Sequence, residues 1–70
     1  MAMDVDQALA QCQRILDKCD EVPERGEDFA ESIREKVESM QEWIETNQRV
    51  TENQLEALEN MDAGISKWIH

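Results

Sequence analysis

Hydrophobic positions recur at intervals of three and four residues in three separate stretches of the chain. This spacing places apolar side chains on one face of an α-helix. In the first stretch the positions are Val5, Ala8, Leu9, Cys12, Ile15, Leu16 and Cys19. Asp4, followed three residues later by Gln7, fits a capping box at a helix start. The pattern predicts a first helix over about residues 4–20.

A turn is expected next, where the only proline, Pro23, lies close to a glycine, Gly26. Proline suits the first position of a helix, so a second helix can start there. Asp28, with a glutamate three residues on, is an alternative cap. We expect a start between residues 23 and 27 and a helix over about residues 24–46. Its apolar face comprises Phe29, Ile33, Val37, Met40 and Ile44.

The boundary before the third helix is the sharpest in the sequence. Thr51 and Gln54 have the spacing of a capping box, and Val50 and Leu55 are placed to close a hydrophobic staple across it. The apolar positions that follow are Leu55, Leu58, Met61, Ile65, Trp68 and Ile69. A third helix is therefore predicted over about residues 51–69. Gly64 inside it costs about 1 kcal/mol relative to alanine.

Three amphipathic helices with short connections predict an all-α fold, an up-down-up three-helix bundle forming a single acidic domain over residues 1–70. A chain of 70 residues buries only about 60% of its unfolded surface. The apolar spacing also fits a heptad seam. Completion of the bundle by homodimerisation is therefore an open alternative to a closed monomer.

Carboxylates recur through the second helix on the face nearly opposite its apolar residues. We call five of them the acidic ladder: Glu31, Glu35, Glu38, Glu42 and Glu45. Glu24 and Asp28 continue the stripe towards the N-terminus, and Arg34 and Lys36 are the nearby bases. The ladder is either a solvated face that maintains solubility or a surface for a basic partner. Its repeat of about 5 Å per turn approximates the phosphate spacing of one nucleic-acid strand, so a DNA mimic is included in the second interpretation.

The charge balance restricts the class of partner. Asp and Glu number 17 and Lys and Arg 7, which gives a formal net charge of -10. This field repels phosphate backbones and anionic lipid, so direct nucleic-acid or membrane binding is not expected, whereas a protein with a basic surface is. No apolar run approaches the length of about 18 residues that a membrane span needs, and the start of the chain lacks the pattern of a signal peptide. We expect a cytoplasmic protein.

The sequence contains few residues that are placed for catalysis or for metal binding. The only histidine is His70, and no serine or cysteine has an identifiable base partner. Cys12 and Cys19 lie about 10 Å apart along a helix, which is beyond disulfide reach and unlike the short spacing of metal-binding cysteine pairs. We expect buried free thiols, no enzyme activity, no metal and no cofactor. Trp68, near the end of the third helix, is a candidate anchor for a partner.

One stretch resembles a known kind of module. Phe29-Ala30-Glu31-Ser32-Ile33, followed by Trp43-Ile44 and then Val50-Thr51-Glu52-Asn53-Gln54-Leu55-Glu56-Ala57-Leu58, is similar to a short helical module of phage-type DNA-metabolism proteins. The resemblance covers residues 29–69. It implies an origin in a phage or mobile element, where small acidic proteins often inhibit host factors.

Two hypotheses of function follow. The first is a protein-binding protein, a phage-encoded inhibitor of a host nucleic-acid-handling enzyme or defence complex, acting in the host cytoplasm through the acidic ladder. The second is a structural or assembly module that forms a helical homo-oligomer, with its acids serving solubility only.

Overall fold

The computed structural model describes residues 5–69, and the helical prediction is confirmed there. The helices are α1 (Val5–Glu21), α2 (Glu27–Asn47) and α3 (Glu52–Ser66), with a single 3₁₀ turn, Glu24–Gly26, before α2. No β-strand occurs within the described range. The fold is a small all-α three-helix bundle. The predicted cap at Asp4 lies outside the described residues, as does His70.

The start of α2 falls inside the predicted window. The 3₁₀ turn follows Pro23, whose φ of -65° suits a helical start, and α2 begins at Glu27 with Gly26 as its N-cap. No side chain caps this end by a hydrogen bond. The alternative cap at Asp28 is wrong, because Asp28 already lies in the first turn of α2.

Side-chain amides close the other end of α2. Gln48 adopts a left-handed conformation with φ of 55°, and its backbone N–H donates to the carbonyl of Ile44 at 2.8 Å. The Asn47 amide donates to the carbonyl of Trp43 at 2.8 Å, and that of Gln48 to the carbonyl of Glu45 at 2.6 Å. The carbonyls of Ile44 and Glu45, which are among the last four of the helix, thus obtain partners from Gln48, beyond the helix end.

The predicted capping box of α3 is confirmed. The Thr51 hydroxyl accepts the Gln54 backbone N–H at 3.2 Å, and the Gln54 side-chain oxygen accepts the Thr51 N–H at 2.9 Å. Both bonds are local, which is why the sequence signature was sufficient.

Side-chain pairs define the up-down-up arrangement. Lys18, near the end of α1, bonds to Asp62 at 2.5 Å and to Ser66 at 3.0 Å, both near the end of α3. The two helices therefore run in the same direction. Arg34, in the first half of α2, bonds to Asp20 at the end of α1 at 2.7 Å, so α2 runs opposite to them.

The core lies where the three apolar faces meet. Its buried apolar members are Ala8, Cys12, Ile15, Cys19, Ala30, Ile33, Val37, Ile44, Leu58, Met61 and Ile65. Phe29 was expected to belong to this face, but its side chain is 38% exposed. It lies at the edge of the apolar stripe, and Ala30, one residue on, takes the inward position. The Phe29 ring instead packs near Trp68, with 6.3 Å between ring centroids.

The third helix ends earlier than predicted, at Ser66 and not at residue 69. The backbone N–H of Trp68 donates to Ile65 at 3.1 Å and that of Ile69 to Ser66 at 3.2 Å. These tighter bonds replace the α-helical ones in the final turn, and Trp68 packs there against Gly26 of the 3₁₀ turn.

Candidate protein-binding surface

All five residues of the acidic ladder are exposed. Helical geometry places Glu31, Glu35, Glu38 and Glu42 within about 60° of one another, over a length of about 16 Å. Glu45 lies at the edge nearest α1. Burial is the main cause of the raised pKa of the Cys12 thiol in α1. The negative charge of Glu45 raises this pKa further, which is consistent with a position of Glu45 near α1.

Fewer positive charges lie against the ladder carboxylates than the sequence positions of Arg34 and Lys36 suggested. Arg34 turns away from it and pairs with Asp20 of α1. The other ion pair within residues 5–69 joins Lys18 to Asp62, so no ladder carboxylate belongs to an ion pair in this range. Four closely aligned negative charges therefore face solvent, with Lys36 as the remaining base beside them.

Trp68 is only half-buried, but its contacts lie within its own chain. A Cβ atom added to Gly26 would be 2.9 Å from Cε3 of the Trp68 ring, so the indole packs directly on the Gly26 backbone. The Arg25 guanidinium lies 5.9 Å from the ring centroid, a cation–π distance. These contacts fasten the end of α3 to the start of α2. Its role as a partner anchor stays a prediction.

Sequence reasoning missed an open groove between α2 and α3. Its lining residues are Glu35, Lys36, Ser39, Met40, Trp43, Gln54, Ala57, Asn60 and Met61, and its volume is about 730 Å³. It exists because α1 packs extensively on α2, whereas α2 and α3 contact each other least. The available signal was the i, i+4, i+7 spacing of Lys36, Met40 and Trp43, which places them on one side of α2, with Met40 at the margin of the apolar face.

A smaller cleft of about 350 Å³ lies between the end of α1 and the start of α2. Four carboxylates line it together with Arg34 and Cys19, the carboxylates being those of Asp20, Glu24, Glu27 and Glu31. Even so, no cluster of three or more metal-ligating side chains with suitable geometry occurs in residues 5–69.

The two cysteines are free and buried, as predicted. For both thiols the main cause of a raised pKa is burial, and the Arg34 charge partly opposes the rise at Cys19. A raised pKa reduces the thiolate fraction, which is the nucleophilic and metal-binding form. Both residues therefore serve as small core side chains.

None of the helices between residues 5 and 69 is long and apolar enough to cross a bilayer.

No protein-family model matches the sequence, and no significant similarity to a curated protein or to a solved structure was found.

Proposed function

We propose that this chain is a non-enzymatic protein-binding module whose partner carries a basic surface and contacts the acidic ladder of α2. The observation that supports this most is the exposed set of carboxylates along one helix, none of which belongs to an ion pair within residues 5–69, because Arg34 binds Asp20 instead. Aligned like charges disfavour an isolated helix by a few tenths of a kcal/mol per pair. A basic partner relieves that repulsion and gains steered association.

The finer proposal is inhibition of a host nucleic-acid-handling enzyme or defence complex. It rests on the resemblance of residues 29–69 to a phage-type module and on the carboxylate repeat of about 5 Å per helical turn. A mimic of this kind occupies the phosphate-binding groove of its target, so the chain and duplex DNA exclude each other from the target. A target that binds both together contradicts the mimic.

The test compares two variants with the same change in charge. One carries Glu35→Lys, Glu38→Lys and Glu42→Lys on the ladder; the other carries Asp6→Lys, Asp17→Lys and Glu21→Lys on α1, where all three side chains are exposed. Each immobilised protein is exposed to a lysate of the source cells, and retained proteins are identified by mass spectrometry. Washes run from about 0.1 M to about 1 M NaCl, over which the Debye length falls from about 10 Å to about 3 Å.

We expect a specific protein on the unmodified chain that is released at high salt, is lost with the ladder variant and is kept by the α1 variant. Circular dichroism verifies that both variants are folded. Equal retention by the unmodified chain and the ladder variant contradicts the proposal.

A second candidate is homo-oligomerisation, which is favoured by the half-buried Met40 and Trp43 in the open groove. It predicts a dimer whose fraction rises with concentration in analytical ultracentrifugation. In that case neutralising the ladder leaves the oligomeric state unchanged or strengthens association.

A further inference from the structure

The groove between α2 and α3 has the features of a helix-binding site. Met40, Trp43, Ala57 and Met61 supply its apolar lining. On α2 the lining positions follow the i, i+3, i+4, i+7 spacing that faces a packed helix, and they extend over about 10 Å, or two turns. Trp43 and Met40 remain half-buried because no element of residues 5–69 covers them.

The edges of the groove are acidic. Glu35 lines it directly, and Glu31 and Glu42 of the acidic ladder lie within about 40° of Glu35 around the axis of α2. On α3, Glu56 is exposed one turn before the lining Asn60. An apolar floor between two acidic edges complements a helix whose apolar stripe is flanked by Lys and Arg.

Two bases are present at the groove. Lys36 lines it, and the Arg49 guanidinium lies 5.7 Å from the centroid of the Trp43 ring. Arg49 belongs to the loop before α3. The basic residues of an occupant are therefore expected along the glutamate edges and away from these two positions.

A second copy of this chain is a poorer occupant than a basic helix. Each copy has a formal net charge of -10, and both would bring glutamates to the same edges. Such like-charge juxtaposition opposes association.

We infer that the α2–α3 groove binds an amphipathic helix of the partner protein, with Lys and Arg flanking its apolar stripe. This inference rests on the proposed function, because it specifies the basic element that the ladder would meet. It adds that recognition depends on the apolar floor at Trp43 and Ala57 as well as on charge.

The probe is a fluorescein-labelled peptide of about 18 residues, built from Leu and Lys with Leu at i, i+3, i+4 and i+7 positions. One control peptide has Glu in place of every Lys, and a second has the same composition in shuffled order. Binding to the intact chain is measured by fluorescence anisotropy.

The matched variants are Ala57→Arg, which fills the groove, and Ala63→Arg, which adds the same charge at an exposed position of the same helix. We expect Ala57→Arg to weaken binding of the Leu/Lys peptide at least about tenfold and Ala63→Arg to weaken it less than about threefold. The Glu peptide and the shuffled peptide are expected to bind at least about tenfold more weakly than the Leu/Lys peptide.

A second measurement uses the unmodified protein, so it tests the groove assignment even if Ala57→Arg does not fold. In ¹⁵N-labelled unmodified protein, the indole N–H resonance of Trp43 should shift on addition of the Leu/Lys peptide, while that of Trp68 should not. Absence of peptide binding, or an unchanged Trp43 resonance, overturns the groove assignment.

Two further outcomes separate this inference from the proposed function. If both arginine variants weaken peptide binding equally while reversal of the ladder charges abolishes it, the groove is overturned and the acidic face remains the binding surface. If ultracentrifugation shows a dimer that only Ala57→Arg disrupts, the occupant is a second copy, which also overturns the inference.

Discussion

The two tryptophans occupy similar local settings but differ in what lies against them. Each indole is half-buried and has an arginine nearby, Arg25 beside Trp68 and Arg49 beside Trp43. Trp68 packs on Gly26 and closes one end of the bundle. Trp43 lines an open groove.

The comparison shows that exposure alone does not distinguish an aromatic residue packed against its own chain from one that borders an open groove. Trp68 had been predicted to anchor a partner because it lies near the chain end, yet its ring already packs near two elements of its own chain, the 3₁₀ turn and α2. Trp43 was not predicted to bind a partner, yet it borders the open groove between α2 and α3. Contact with an opposing element, which requires the tertiary structure, is what separates the two.

Among these substitutions, replacing each tryptophan with alanine should produce the largest difference in unfolding free energy between the two sites. Trp68→Ala removes the ring that fastens α3 to the start of α2, and we expect the free energy of unfolding to fall by about 3 kcal/mol, at the lower end for a tryptophan because the ring is partly exposed. Trp43→Ala removes a ring with one open side, and a loss of about 1 kcal/mol is expected. Urea denaturation followed by circular dichroism measures both values. Equal losses would mean that the groove side is packed as firmly as the closed end.

The next effect concerns the backbone beneath Trp68. In Gly26→Ala the new Cβ would lie 2.7 Å from Val22 Cγ1 and 2.9 Å from Trp68 Cε3, so the ring or the turn must move. We expect a loss of about 1–3 kcal/mol in unfolding free energy, the range typical of overpacking. The measurement is again urea denaturation.

Gly64→Ala is the matched control for that substitution. Its new Cβ would meet only Cζ of Phe29, at 3.3 Å, and the exposed Phe29 ring has room to shift. Alanine is favoured over glycine inside a helix, so a gain of up to about 1 kcal/mol is expected. If Gly64→Ala destabilises as much as Gly26→Ala, the close approach at Gly26 is not what distinguishes the closed end.

The smallest expected effect is the pH dependence caused by the core thiols, which contrast with the exposed carboxylates of the ladder. Burial raises the pKa of Cys12 and Cys19 above the ordinary value of 9.0. The unfolded chain therefore loses these protons at lower pH than the folded chain does. Their contribution to stability is complete below pH 9.0 and is lost as the pH rises through the folded-state pKa values.

Urea denaturation from neutral to alkaline pH checks this expectation. A variant with Cys12→Ala and Cys19→Ala is the control, and its stability should decline less steeply above pH 9.0 than that of the unmodified protein. If both proteins lose stability equally steeply with rising pH, groups other than the two thiols cause the loss.

Much of the fold could be predicted because its signals are local. The helical spacing of apolar residues fixes which face of each helix is buried, and the Thr51 and Gln54 capping box starts α3 through bonds between neighbours in sequence. The exposure of the acidic ladder follows from the same periodicity, since residues opposite a buried stripe face water. The interpretation of that ladder as a binding surface stays a prediction.

The failures occurred where a position depends on a distant element. Phe29 has core spacing but lies at the edge of its stripe, where Ala30 takes the inward place. The end of α3 and the position of Trp68 depend on Gly26, some forty residues earlier in the chain. Arg34 lies in sequence among the ladder carboxylates, but Asp20 of α1 binds it.

The sequence by itself thus determined three amphipathic helices, their approximate bounds, a buried face for each and an exposed acidic face on α2, because a helix brings residues three and four apart together whatever surrounds it. Only the tertiary structure decided which side of α2 is covered by α1 and which side is left as a groove against α3. That choice depends on how three helices share one small core, and the periodicity of a single helix contains no information about its neighbours' positions.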